Sequence, residues 1–152
     1  MVGMDARINF ITVAVTDLSA CRRFYLVGLG WKPTLDSPGI VMVRVSSTLV
    51  LSLWAIDEFE AEVGAVRTGP GVAPFTLAHN VPTPEAVDQV LEEARHAGAS
   101  SVVAGRWRDW GGYSGYFADP EGVCWEVAYN PDPLGRELMA ASGLLAPAEP
   151  DQ

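Results

Sequence analysis

The carboxylate of Glu126 sits in a run, Val-Cys-Trp-Glu-Val-Ala-Tyr at 123–129, that otherwise reads as apolar strand. A carboxylate held among aromatic and branched side chains has to be a metal ligand, an acid or base, an anchor for a bound molecule, or half of an ion pair. The residues before it narrow the geometry. Asp119-Pro120-Glu121-Gly122 has the preferences of a type I turn, and Gly122 can take the left-handed conformation that closes a three-residue hairpin loop. That turn sets Tyr116 across from Glu126 and Ser114 across from Ala128. Cys124, Glu126 and Ala128 then point to one face, and Val123, Trp125, Val127 and Tyr129 to the other. With the phenol beside it, Glu126 can act as a base and Tyr116 as an acid in proton abstraction or isomerisation, provided burial raises the carboxylate pKa.

Other residues suited to chemistry are sparse. His79 and His96 are the only histidines, so no three-histidine metal site exists. Alternation along 73–81 groups His79 with Phe75, Leu77 and Val81, on the face a helix covers, where it reads as a packed core residue. A β-bulge would turn it toward Glu126 and make a His79–Glu126 pair. His96 falls near the end of a helix, where the dipole favours a cation, and reads as a capping or surface residue. Cys21 and Cys124 form no disulfide framework, and Cys124 has no histidine placed to activate it. Ser114 lies in no nucleophile-elbow motif. Gly111, Gly112 and Gly115 lack the strand–loop–helix context of a phosphate cradle and fit a tight loop instead.

A chain of 152 residues is long enough for one domain with a substantial core. Its mean hydropathy of +0.16 argues against extensive disorder. No run approaches a membrane span, and the start lacks the basic-then-apolar pattern of a secretion signal, so a cytoplasmic location with reduced thiols is expected. A net charge of −9 argues against nucleic-acid partners; it reads first as a solvated acidic surface that keeps the protein soluble, and mildly favours a cationic ligand.

The elements that position Glu126 come from a repeat. Strand-like alternation at 9–15 and again at 73–81 runs into helical segments, the first capped by Asp17 or Ser19 and spanning about 19–27, the second opened by Thr83-Pro84 and spanning 84–97. Each helix ends in a glycine step, Leu29-Gly30 and Ala97-Gly98. Three strand-like runs follow each: 32–35, 40–45 and 48–54, then 101–104, 113–118 and 123–129. Setting Val15 on Val81 gives an offset of 66, and setting Gly30 on Gly98 gives 68. The fold class expected is α+β, with two βαβββ units: one at about 7–55, a flexible glycine-marked linker at 56–72, and one at about 73–131. A C-terminal extension at 132–152 holds a short helix at 134–141 and then a loose end.

This doubled unit, with Phe24-Tyr25 before Leu29-Gly30-Trp31 and the Trp-Gly-Gly-Tyr…Asp-Pro-Glu-Gly…Trp-Glu hairpin, resembles the vicinal-oxygen-chelate superfamily of glyoxalases, bleomycin-resistance proteins and extradiol dioxygenases. The resemblance covers about residues 7–131 and implies two sheets around a U-shaped cleft, with helices outside. It also implies metal-ligand positions on the first and last strand of each unit, normally His or Glu. Only Glu126 matches; the other three positions carry Phe10, Ser52 and Thr76. The expectation is therefore a metal-free binding protein, with no cofactor, for an aromatic or cationic small molecule. The expected ligand-binding residues are Phe10, Ser52, Trp54, Thr76, Asn80, Trp110, Tyr116 and Glu126, with Trp107 and Tyr113 able to stack on a planar ligand. The alternative is a glyoxalase- or dioxygenase-like metalloenzyme, a lyase, isomerase or dioxygenase using one divalent ion on Glu126 and His79, in which Glu126 and Tyr116 would be catalytic. The resemblance also implies a homodimer.

Overall fold

The computed structural model describes residues 3–145. Of the loose end expected after 141, residues 146–152 lie outside the described residues. The chain divides into two compact units, before and after the Pro70–Gly71 bond.

The first unit contains β1 (Phe10–Val15), α1 (Leu18–Cys21) running on as a π-helical stretch (Arg22–Gly28), β2 (Leu35–Ser37), β3 (Ile40–Arg44), β4 (Val50–Ala55) and α2 (Ile56–Glu62). The second contains β5 (Leu77–Asn80), α3 (Pro84–Ala97), β6 (Ser101–Trp107), β7 (Tyr113–Ala118), β8 (Cys124–Tyr129) and α4 (Pro133–Ala141). Each unit folds its strands into one four-stranded mixed sheet, β1-β4-β3-β2 and β5-β8-β7-β6. In both, the first strand runs parallel to the last and the remaining pairs are antiparallel. This is the α+β, twice-βαβββ plan expected from the repeat.

The helices follow their caps. Asp17 accepts the Ala20 amide at 2.9 Å and starts α1; Thr83 accepts the Ala86 amide at 3.1 Å and starts α3, with Pro84 in the first turn. The α3 helix ends at Gly98, in the left-handed region at φ 104°. After Cys21 the first helix widens, and the Leu29 amide reaches back to the Phe24 carbonyl at 2.8 Å. The wider turn lets two adjacent aromatics, Phe24 and Tyr25, both be fully buried. Their rings meet edge to face at 4.9 Å, and Tyr25 packs on Trp31 at 5.3 Å.

Three segments differ from expectation; the strand expected at 32–35 forms at Leu35–Ser37. The linker is not all loop: α2 forms because Asp57 and Glu58 sit in its first turn, where the helix dipole favours acids, and because Phe59 packs edge to face on Trp54 at 5.9 Å. The β6 strand is three residues longer than the expected end at 104 and carries a register shift between Val103 and Arg106. Three steps along β6 there oppose two along β7, from Tyr116 to Ser114, so one residue is extra and the strand bulges.

Glycine makes that bulge possible. A Cβ on Gly115 would lie 2.6 Å from the Val103 carbonyl oxygen and 2.9 Å from the Gly105 amide nitrogen, both backbone atoms, with a Leu91 methyl of α3 crowding it too. Gly115→Ala is expected to destabilise the protein by about 2 kcal/mol through this overpacking. Urea unfolding checks it; a stability equal to wild type would show that the bulge tolerates a side chain.

Candidate functional site

The site is built on the closing hairpin. The Asp119 side chain is fully buried and accepts the backbone amides of Glu121 and Val123, each at 2.9 Å. The Gly122 amide reaches the Asp119 carbonyl at 3.0 Å, with Gly122 at φ 84°. This turn gives the expected register, with Tyr116 opposite Glu126 and Ser114 opposite Ala128. The α3 helix packs on β6, β7 and β8. It covers the face of Phe117, Trp125 and Val127, where Phe117 and Trp125 stack with centroids 5.9 Å apart. Tyr116, Cys124 and Glu126 are on the opposite face and half-buried.

On that face the Tyr116 hydroxyl donates to Glu126 Oε2 at 2.7 Å. The pairing holds the phenol above its usual pKa of 10.0, first through this hydrogen bond, then through burial and the carboxylate charge; the Arg108 charge and a hydrogen bond with Ser114 pull the other way. Arg108 belongs to the same group. Its Nε donates to Ser114 Oγ and its Nη2 to the Ser114 carbonyl, both at 2.9 Å, and its guanidinium carbon lies 5.5 Å from the Tyr116 ring centroid. Ser114 is fully buried beneath it.

Sequence reasoning did not single out Arg108, and the bulge explains why. Alternation from Val103, which opposes Tyr116, would carry residues 105 and 107 on to the Tyr116 face. The extra residue inverts the alternation, so that Arg106 opposes Ser114 and Arg108 follows it onto the Tyr116 side. Trp107 goes to the other side, edge to face with Tyr113 at 5.5 Å and Tyr129 at 6.3 Å. Tyr113 is on the helix side as well, its hydroxyl donating to Asp88 of α3 at 2.8 Å. Neither ring lies on the Tyr116 face. The available signal was Gly105, directly after the expected strand end at 104, since a glycine that a strand runs through often marks a bulge.

The other expected residues divide between the units. Asn80 opposes Ala128 and so shares the Glu126 face; Thr76 is exposed, one residue before β5. Trp110 is 46% exposed, and its ring occupies the space into which a Gly112 side chain would project, on the Ser114 and Tyr116 side. His79 opposes Val127, on the face away from Glu126, so the two are not brought together. Its ring reaches the surface instead of lying in the core as expected. Desolvation by its neighbours still lowers its pKa below 6.5, against the raising effect of Glu93. In the first unit Phe10, Ser52 and Trp54 share a face by register, with Thr12 opposing Ser52. Phe10 is 56% exposed. The Ser52 hydroxyl is buried, with no hydrogen-bond partner among the described residues. The Trp54 indole N–H is taken by Glu58 at 2.8 Å.

These donors do not fit a divalent metal. Among the described residues no three His, Cys, Asp or Glu side chains gather where an ion could be held. Phe10 has no donor atom, Ser52 and Thr76 offer hydroxyls, and Glu126 is met by a phenol.

The comparisons with known proteins agree with the fold. The model of the Glyoxalase/Bleomycin resistance protein/Dioxygenase superfamily matches residues 7–127, and the chain belongs to that superfamily. It is similar to a glyoxalase-related enzyme from Fulvimarina pelagi at 33% identity and TM-score 0.75, over 83% of this chain and 89% of that one. The lactoylglutathione lyase of Agrobacterium tumefaciens shares the fold at 22% identity and TM-score 0.62, over 82% of this chain and 94% of that one. So does a glyoxalase/bleomycin resistance protein/dioxygenase from Nocardioides, at 22% identity and TM-score 0.71, over 84% and 85%. No curated protein matches significantly. No helix among the described residues is long and apolar enough to cross a membrane.

The raised Tyr116 pKa sets a sign for stability at high pH. The folded state holds the proton more tightly than the unfolded chain, so this stabilisation is complete below pH 10.0 and is lost as pH rises through the folded value. Tyr116→Phe is expected to flatten the fall of stability above that pH, and to remove a late-ionising phenol from the ultraviolet titration. An alkaline stability curve unchanged in Tyr116→Phe would show that the Tyr116–Glu126 bond is absent in solution.

Proposed function

We propose that this chain binds a small organic molecule, without a divalent metal, on the sheet face that carries Tyr116 and Glu126. The observation that carries this reading is the 2.7 Å hydrogen bond from Tyr116 to Glu126. It occupies one carboxylate oxygen with a neutral donor and leaves Oε1 with no partner among the described residues. A ligand ammonium, amine or hydroxyl is what such an oxygen accepts. Trp110 supplies a partly exposed ring on the same side, suited to an aromatic ligand. The anchor is one carboxylate in a strand, held in place by its phenol partner, and this preorganisation limits the ordering cost on binding.

Protein purified without chelator is expected to carry substoichiometric zinc, nickel, iron and manganese by elemental analysis, with a melting temperature unmoved by EDTA. A screen of small aromatic amines should raise the wild-type melting temperature, and Glu126→Gln should lose about tenfold in affinity for the compounds found. A stoichiometric ion that disappears in Glu126→Ala would overturn the reading and favour a metalloenzyme with an unusual ligand set.

A further inference from the structure

Two arginines of the described residues are half-buried, Arg22 and Arg108. Arg22 is neutralised by Asp36 at 2.8 Å. Arg108 has no carboxylate within ion-pair distance among the described residues, although the chain carries 19 acids against 10 basic residues. A guanidinium taken partly out of water without a counter-charge is costly unless something else receives its donors.

The donor inventory shows how far that need is met. Arginine has five N–H donors in a planar fork. Arg108 spends two of them, Nε and Nη2, on the hydroxyl and carbonyl of Ser114. Those two bonds use one edge of the plane and fix its orientation, while the Tyr116 ring at 5.5 Å holds one face. The remaining edge, formed by Nη1 and the second Nη2 hydrogen, meets no acceptor among the described residues. Two parallel donors on a fixed plane match the two oxygens of a carboxylate or a phosphate. Burial of Ser114 makes this a built cation and not a surface arginine that happens to lie nearby.

We propose that the molecule bound on this face is a small organic acid whose carboxylate or phosphate is received by the Nη1–Nη2 edge of Arg108, beside the amine or hydroxyl received by Glu126. This rests on the ligand-binding reading above and adds the substrate class. The ligand is then zwitterionic or a hydroxy acid, with its acid end near the Tyr116 ring face and its other polar end near the Tyr116 hydroxyl. Arg108 sets specificity: it admits acids and rejects their neutral analogues, which would leave its free donors unmatched.

Matched probe pairs test this directly: phenylalanine with phenylalaninamide, anthranilate with anthranilamide, and phenyl phosphate with phenol. The expected result is that an acid binds wild type at least tenfold tighter than its neutral partner, with an affinity that falls as salt rises. Bound acid should also shift the Arg108 Nε–H resonance in the nitrogen–proton NMR spectrum. Arg108→Gln should abolish the preference, and Arg95→Gln, on the exposed side of α3, should keep it. Because Arg108 also fastens Ser114, Arg108→Lys is the second variant; it keeps the charge but not the fork, and should lose most of the discrimination. A stronger effect with the carboxylates or with phenyl phosphate tells which acid is meant. Neutral members binding as tightly as acids, with Glu126→Gln still removing them, would overturn this inference and leave the binding reading standing. A panel that binds nowhere on this face would overturn both.

Discussion

The buried carboxylate of Asp119 is the constraint on which the site depends. It takes two backbone amides of the turn, from Glu121 and Val123, and so fixes the number of residues between β7 and β8. Strand pairing has a period of two, and a slip by one residue would send every side chain to the other face. Under such a slip Glu126 would meet the packing of α3, where Trp125 and Val127 now lie, and Tyr116 would lose its partner. The register also has support from the core: Trp125 and Val127 are buried only when Glu126 points away. Turn chemistry and hydrophobic burial therefore specify the same pairing, and the carboxylate is placed by both.

The bulge in β6 adds what an unbroken hairpin would lack. It bends a regular strand so that Arg108 arrives over Tyr116 while Trp107 is diverted to the helix side. Room for it comes from glycine on both strands. The Gly105 position lies under the Tyr113 ring, and Gly115 faces β6 backbone at contact distance. An aromatic cluster of Trp107, Tyr113 and Tyr129 then closes the helix side of the same segment. One extra residue thus determines both the electrostatics of one face and the packing of the other.

What was legible in the sequence was what local chemistry decides. The hairpin turn, the register of Tyr116 on Glu126, and α3 from its Thr83-Pro84 start to Gly98 follow from turn and cap preferences that act within a few residues. The doubled βαβββ plan followed from spacing alone. Less legible was whatever depends on contacts between elements. The α2 helix needs Trp54 to give it a partner, through the Glu58 hydrogen bond and the Phe59 ring. The widened turns after Cys21 arise from burying Phe24 and Tyr25 together. His79 was assigned to the correct face, opposite Val127, but its surface exposure depends on how far α3 extends over β5, which alternation does not report. Arg108 was hidden because period-two counting fails after a bulge.

The site reads as a single unit once Tyr116 is placed at its centre. A guanidinium over the ring favours the phenolate, and a carboxylate at the hydroxyl opposes it; the carboxylate prevails, and the phenol stays above its ordinary pKa. Tyr116 is a donor at neutral pH, as any phenol with a pKa at or above 10.0 is, and its bond to Glu126 holds that carboxylate as an oriented acceptor. Arg108 lies over the ring and Glu126 at its hydroxyl, and the two form no ion pair with each other. Had they met, each would have spent part of its hydrogen-bonding capacity on the other and left less for a ligand. In the binding mode proposed above, one cationic edge and one carboxylate oxygen lie on the same face, and that pairing of opposite charges is what a bound molecule would match.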